Sequence, residues 1–182
     1  MLRSCTFCTL LVVCAIGCAN TSRNDPIPRD PQRSQELTRR AAELIPTEPD
    51  KAEEMLREAL RLDEFNGPAH NNLGVIALNR DDLYEAATRF DAARRLMPAQ
   101  PDPRVNLGMV FERAGRIDDA LDAYRSALDV QPGDMHAVQA LTRCELRHTR
   151  ANDDTRARLE SIALNGTSQA WRTWAARERA IR

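Results

Sequence analysis

Aromatic residues make up only 4% of this 182-residue chain, glycine occurs seven times and lysine once, at Lys51. Scarce glycine beside abundant alanine favours helices over sheets. Neither sign of charge is in excess: 26 basic residues stand against 27 acidic ones, a formal net of −1. That balance excludes a strong overall field drawing the chain to nucleic acid or an anionic surface. Long apolar runs are also missing, save Thr9 to Ile16, which falls short of the roughly 18 residues a membrane-spanning helix requires. His-Glu-x-x-His, Gly-x-Ser-x-Gly and a glycine-rich phosphate loop are all absent, so the usual catalytic constellations are not encoded. What is present is 42% apolar sequence, enough for one small folded domain.

Four of the five cysteines fall within the first eighteen residues, behind a short start carrying Arg3. This opening resembles a secretory signal peptide. Ala15-Ile16-Gly17-Cys18 is similar to a bacterial lipobox, with Ala15 where leucine is usual. The resemblance implies a leader over 1–17, cleavage before Cys18, and a lipid on that cysteine. Lipoproteins of this kind normally carry three acyl chains, which gives stable membrane attachment. Ala19, where aspartate would signal retention, implies the outer membrane and its periplasmic face. Only Cys144 would remain free, so no intrachain disulfide is expected. Residues 18–33 read as the lipidated cysteine and a tether, because Pro26, Pro28 and Pro31 sit among polar residues with almost nothing to bury.

Sliding the chain by 34 residues superposes 67–100 on 101–134 without a gap. Asn72/Asn106, Leu73/Leu107, Gly74/Gly108, Ala86/Ala120, Ala93/Ala127 and Pro98/Pro132 are identities, and Phe90/Tyr124 and Leu83/Ile117 are close pairs. A glycine inside a helix costs about 1 kcal/mol relative to alanine. Gly74 and Gly108 therefore predict places where another helix approaches too closely for a side chain. The alanines line a stripe of each second helix with the aromatic between them, and the prolines stop that helix.

Both segments resemble the tetratricopeptide repeat, a helix-turn-helix unit with a Leu-Gly pair in the first helix and small residues plus an aromatic in the second. His70, Arg104 and Ala77 depart from the family's aromatics. The implied fold class is all-α, a solenoid of such units. Degenerate units are expected at 34–66, where Ala52, Leu56 and Ala59 reproduce a second helix, and at 135–166, with a capping helix over 167–182 carrying Trp171 and Trp174. The domain to be packed is thus 34–166 plus its cap.

First helices of such a solenoid line a groove, and helical stripe geometry selects the residues facing it. These are Asn71, Asn72, Val75, Leu78 and Asn79, then Val105, Asn106, Met109, Glu112 and Arg113, then His136, Gln139, Arg143 and Arg147. Amide side chains with apolar residues between them suit a protein or peptide partner. Each has a plainer reading as scaffold: an asparagine bonding a neighbouring backbone, an aliphatic side chain packing on the next helix, an arginine on a solvated face. Carboxylate clamping as in some relatives lacks its lysines here. Cys144 and His148 lie four apart and offer two metal ligands, but no third is near in sequence, so no metal or cofactor is expected. Asp81-Asp82, Asp118-Asp119 and Asp153-Asp154 fall at helix starts, where the helix dipole accounts for them. The expected function is a lipid-anchored adaptor in the bacterial envelope, not an enzyme. Relatives of that description assist pilus or secretion assembly or recruit cell-wall enzymes; the alternatives are a self-associating structural lipoprotein and a small periplasmic enzyme using Cys144 and His148.

Overall fold

The computed structural model describes residues 28–148 and 152–181. The expected leader, Cys18 and most of the tether lie outside these residues. Among the described residues there are nine helices and no strand: α1 (Pro31–Leu44), α2 (Pro49–Leu62), α3 (Gly67–Asn79), α4 (Leu83–Leu96), α5 (Asp102–Arg113), α6 (Ile117–Val130), α7 (Met135–His148), α8 (Asp153–Asn165) and α9 (Gln169–Ile181). None of them is long and apolar enough to cross a membrane.

Local chemistry explains the starts. Asp30, Asn66 and Asp82 each accept a hydrogen bond from the amide three residues on, at 3.0 Å, capping α1, α3 and α4. Asn152 and Thr155 form a reciprocal capping box at α8. Prolines occupy the first turn of α1, α2, α3 and α5, where their missing amide hydrogen has no helical acceptor to lose. The turns inside the two clear repeats are matched. Asp81 (φ 61°) and Gly115 (φ 74°) take the left-handed conformation, and the next amide reaches back, Asp82 to Ala77 O and Arg116 to Phe111 O, both at 2.9 Å.

Helices pair as α1/α2, α3/α4, α5/α6 and α7/α8, and α9 packs on α8. The first helices α1, α3, α5 and α7 also touch in succession, forming an inner layer, while α2, α4 and α6 each lean on the following first helix. Each pair buries its apolar stripe only against neighbours, so one core runs through as linked clusters. Phe90 and Tyr124 are fully buried at its centre. A Cβ on Gly74 would sit 2.6 Å from the Phe90 ring, and one on Gly108 would sit 2.3 Å from the Tyr124 ring. The close approach at both glycines is made by the aromatic side chain of the second helix rather than by its backbone.

The first unit solves the same problem differently. Its first helix starts at Pro31, not Ser34, and the last expected tether residues are held: Asp30 N bonds Leu62 O at 3.0 Å and Arg29 pairs with Asp63 at 2.8 Å. Arg39 and Arg40, standing where Leu-Gly would be, are exposed, and Arg39 pairs with Glu36 and Glu43 on its own helix. Buried Ser34 donates to Ala59 O at 2.8 Å, and Asn66 donates to Ser34 and Thr38 at 2.8 and 3.0 Å. A satisfied polar network joins α1, α2 and the start of α3 where the next two units use glycine on aromatic. At the other end Trp171 and Trp174 meet edge to face, centroids 5.1 Å apart, against Val138, Leu159, Ile162 and Ala175.

Candidate functional site

Along the inner layer, α3, α5, α7 and the first turn of α9 frame a cleft of about 280 Å³. Asn71, Val105, Asn106, Met109, His136, Gln139 and Arg143 from the expected set all line it, with Asp102, Ala140 and Trp171. Asn106 Nδ2 donates to Asn71 Oδ1 at 3.0 Å, tying one first helix to the next across the cleft floor. Gln139 is nearly enclosed, 2% exposed, and its Oε1 accepts from Thr167 Oγ1 at 3.1 Å.

Others of the expected set stand elsewhere. Leu78 is buried and Val75 partly so, both packed in the core between α3, α4 and α5. Their stripe turns from the inner face toward the next unit. Asn72 and Asn79 do not line the cleft. Arg113 Nη1 donates to Leu78 O at 2.7 Å and lies 3.5 Å from Asp81, locking the ends of α3 and α5 together. It sits on the rim of a second depression.

That depression, about 420 Å³, is lined by Met109, Glu112, Arg113, Arg143, Arg147 and His148. Glu112 is its hub. Tyr124 OH donates to Oε2 at 3.1 Å, Arg147 Nη1 lies 3.1 Å from Oε1, Arg143 Nη2 3.5 Å from Oε2, and His148 Nε2 3.9 Å from Oε1. Burial and the Glu112 charge push the Tyr124 hydroxyl well above its ordinary pKa, so it stays a donor. A third depression, about 320 Å³, opens where Arg143 and Arg147 face Ser168, Ala170, Trp171 and Trp174. The Arg143 guanidinium stands 5.9 Å from the Trp171 ring centroid. Arg143 borders all three depressions, so they form one continuous surface.

Folding brings Glu112 beside Cys144 and His148, with donor atoms of the three within 4.8 Å of one another. This third potential ligand comes from α5, one unit upstream, and sequence spacing along α7 does not reveal it. The set is nonetheless poorly suited to a cation. Two guanidiniums and a phenol already engage the carboxylate, and burial followed by the Glu112 charge pushes the Cys144 thiol up to about 11, whereas a metal needs thiolate. Its chemistry is that of an ion-pair hub which orients Arg143 and Arg147. Asp102, Ala140 and Trp171 are the cleft residues that the stripe argument missed. Trp171 belongs to α9, outside the repeat period, and no periodic signal points to it.

The tetratricopeptide-repeat family model matches this sequence at 47–102, 80–134 and 105–164. The chain belongs to the tetratricopeptide-repeat family. Tetratricopeptide-repeat proteins mediate protein–protein interactions, and no enzymatic family is indicated. Solved structures share the solenoid. A crystal structure of MamA is 24% identical, with 65% of this chain and 70% of that chain covered and a TM-score of 0.57. The Pseudomonas aeruginosa PilF structure is 22% identical over 77% of this chain and 64% of that one, TM-score 0.66. The first repeat domain of Spaghetti (RPAP3), solved with the HSP90 peptide SRMEEVD, is 16% identical over 66% of this chain and 97% of that one, TM-score 0.61. At these identities the likeness is one of fold. The three depressions meet at Arg143 of α7.

Proposed function

We propose that this chain is an adaptor that binds a protein or peptide partner along its inner groove while a lipid on Cys18 fastens it to the bacterial envelope, at the periplasmic face of the outer membrane. One observation carries the groove reading. Seven side chains selected only by helical stripe position line a single cleft built by three successive first helices and the cap. The anchor rests on Ala15-Ile16-Gly17-Cys18 and on Ala19. Tethering raises the effective concentration of the groove toward partners in the same thin compartment, so modest affinity suffices. Assembly of pilus or secretion machinery, or recruitment of cell-wall enzymes, are the processes such an adaptor would serve.

Photoreactive residues placed in living cells at Asn71 or Met109 should give discrete adducts, whereas one at exposed Glu64, in the turn between α2 and α3, should not. Equal yields from both positions would overturn groove recognition. Replacing Cys18 by serine should move the chain from the membrane fraction to the soluble one. Unchanged fractionation would overturn the anchor.

A further inference from the structure

The cleft has unequal ends. Toward α3 the two asparagines satisfy each other, Asn106 Nδ2 on Asn71 Oδ1. Toward α9 the polar groups are left over. Gln139 is 98% buried by its 2% exposure, and Thr167 engages its Oε1, but its Nε2 finds no acceptor among the described residues. Arg143, one turn further along α7, reaches Glu112 with Nη2, yet its Nε is buried and also lacks an acceptor among those residues. Buried N–H groups without acceptors are costly and uncommon in native structures, so two on adjacent turns lining one cleft point to an acceptor that arrives from outside.

Charge narrows what that acceptor is. Arg113 is paired with Asp81, and the one carboxylate of Glu112 faces two guanidiniums, Arg143 and Arg147. The depression shared by Arg143 and Arg147 holds no acid and is floored by Ala170 and the edge-to-face pair Trp171 and Trp174. A carboxylate satisfies guanidinium N–H groups more strongly than a neutral carbonyl does. An apolar side chain next to it in an extended peptide would lie over the tryptophans, burying ring surface that packing against α7 and α8 leaves partly exposed.

We infer that the end of the groove where α7 meets α9 is a subsite for a carboxylate beside an apolar side chain, the carboxylate bound by Gln139 and Arg143 and the apolar group by Trp171 and Trp174. This rests on the groove reading above and specifies the partner's chemistry: an acidic residue next to a large aliphatic or aromatic one, or a chain terminus ending in such a residue. Glu112 acts here as a positioning residue, holding both arginines from beneath.

The probe is a set of fluorescent dodecapeptide pools, degenerate except for a central Glu-Leu, Gln-Leu or Glu-Ser pair, with amidated C-termini, and a parallel set ending in Leu as the free acid. Binding to the purified full chain in mild detergent is read by anisotropy. Glu-Leu pools should bind about tenfold more tightly than Gln-Leu or Glu-Ser pools. Arg143→Gln and Gln139→Leu should each erase that preference while helix content is retained. If Gln139→Leu fails to fold, Arg143→Gln and the peptide comparison on the parent chain decide. Preference confined to the free-acid series assigns the carboxylate to a chain terminus, and preference among amidated pools assigns it to a side chain. Equal binding of Glu-Leu and Gln-Leu, or an acidic preference that survives both substitutions, would overturn the subsite. Should such indifferent binding still be lost on Asn106→Ala or Met109→Ala, the groove reading stands without it. Absence of binding by every pool would overturn both.

Discussion

The units 67–100 and 101–134 share their skeleton and differ in what the skeleton exposes. In both, a glycine of the first helix receives an aromatic ring of the second, alanines flank that ring, and a left-handed residue turns the chain between them. In the first of the two the ring is Phe90, and the place equivalent to Glu112 is Leu78, buried in the core. In the second, Tyr124 passes its hydroxyl through the packing to Glu112, which gathers two arginines and a histidine at the groove. One atom, the tyrosine oxygen, joins the repeat's core to the depression lined by Glu112, Arg143 and Arg147. Repetition fixes the scaffold, and departures from repetition write the site.

Several substitutions would break that comparison, beginning with the aromatic rings. Phe90→Ala and Tyr124→Ala should each cost about 3–5 kcal/mol, seen as a lower midpoint in thermal or urea unfolding, since both rings are fully buried over a glycine. If only one of them matters, the two units are not mechanically equivalent. Next in size, Ala86→Leu and Ala120→Leu should each cost roughly 1–3 kcal/mol by overpacking beside those rings. Both alanines have no exposed surface, and comparable losses are expected.

Exchanging the aromatics sharpens the contrast. Phe90→Tyr places a hydroxyl in an apolar cluster and should cost about 1–3 kcal/mol, whereas Tyr124→Phe removes one bond to a carboxylate that keeps its arginines and should cost about 0.5–1.5 kcal/mol. The same order measured in reverse would sink the assignment of the hydroxyl to Glu112. Cys144 supplies a reactivity test of the hub. With its thiol pushed up to about 11 and no exposed surface, it should label slowly with a thiol reagent at pH 8 in the folded chain and rapidly in denaturant. Fast labelling of the folded form would mean the hub is open.

The smallest effect is one of pH. Burial, the largest influence on His70, lowers its pKa from the ordinary 6.5, and the Arg89 charge acts the same way against a raising bond to Glu64 O. A group depressed on folding contributes stability above its unfolded pKa, and that stability is lost as pH falls through the folded value. The unfolding midpoint should therefore drop below pH 6.5 by more in the parent chain than in His70→Gln. Identical profiles would remove His70 as a contributor.

Much of this architecture was legible beforehand. The period, the small-residue stripes and the proline stops all follow from side chains whose roles are local or repeat at a fixed spacing, whereas the seating of each aromatic ring on a glycine appears only in the structure. The first unit was read less well. Nothing periodic distinguishes Ser34, Thr38 and Asn66 as a buried polar network, because Ser34 and Thr38 of α1 find their partners on α2 and at the cap of α3, and those bonds depend on distance in space. The same reason hid Glu112 as the partner of Cys144 and His148, and Trp171 as a wall of the cleft. Leu78 was expected in the groove, and packing between successive units claimed it instead.

By itself, then, the sequence determined that helices form, where they stop, how they pair and that they stack, because caps, prolines, small residues and apolar spacing act within one or two units. Only the tertiary structure decided which inner-layer side chains meet, which charges neutralise each other and which buried donors are left without acceptors. Those outcomes depend on ångström-scale approach between residues a full unit or more apart, and no spacing along a chain encodes such distances.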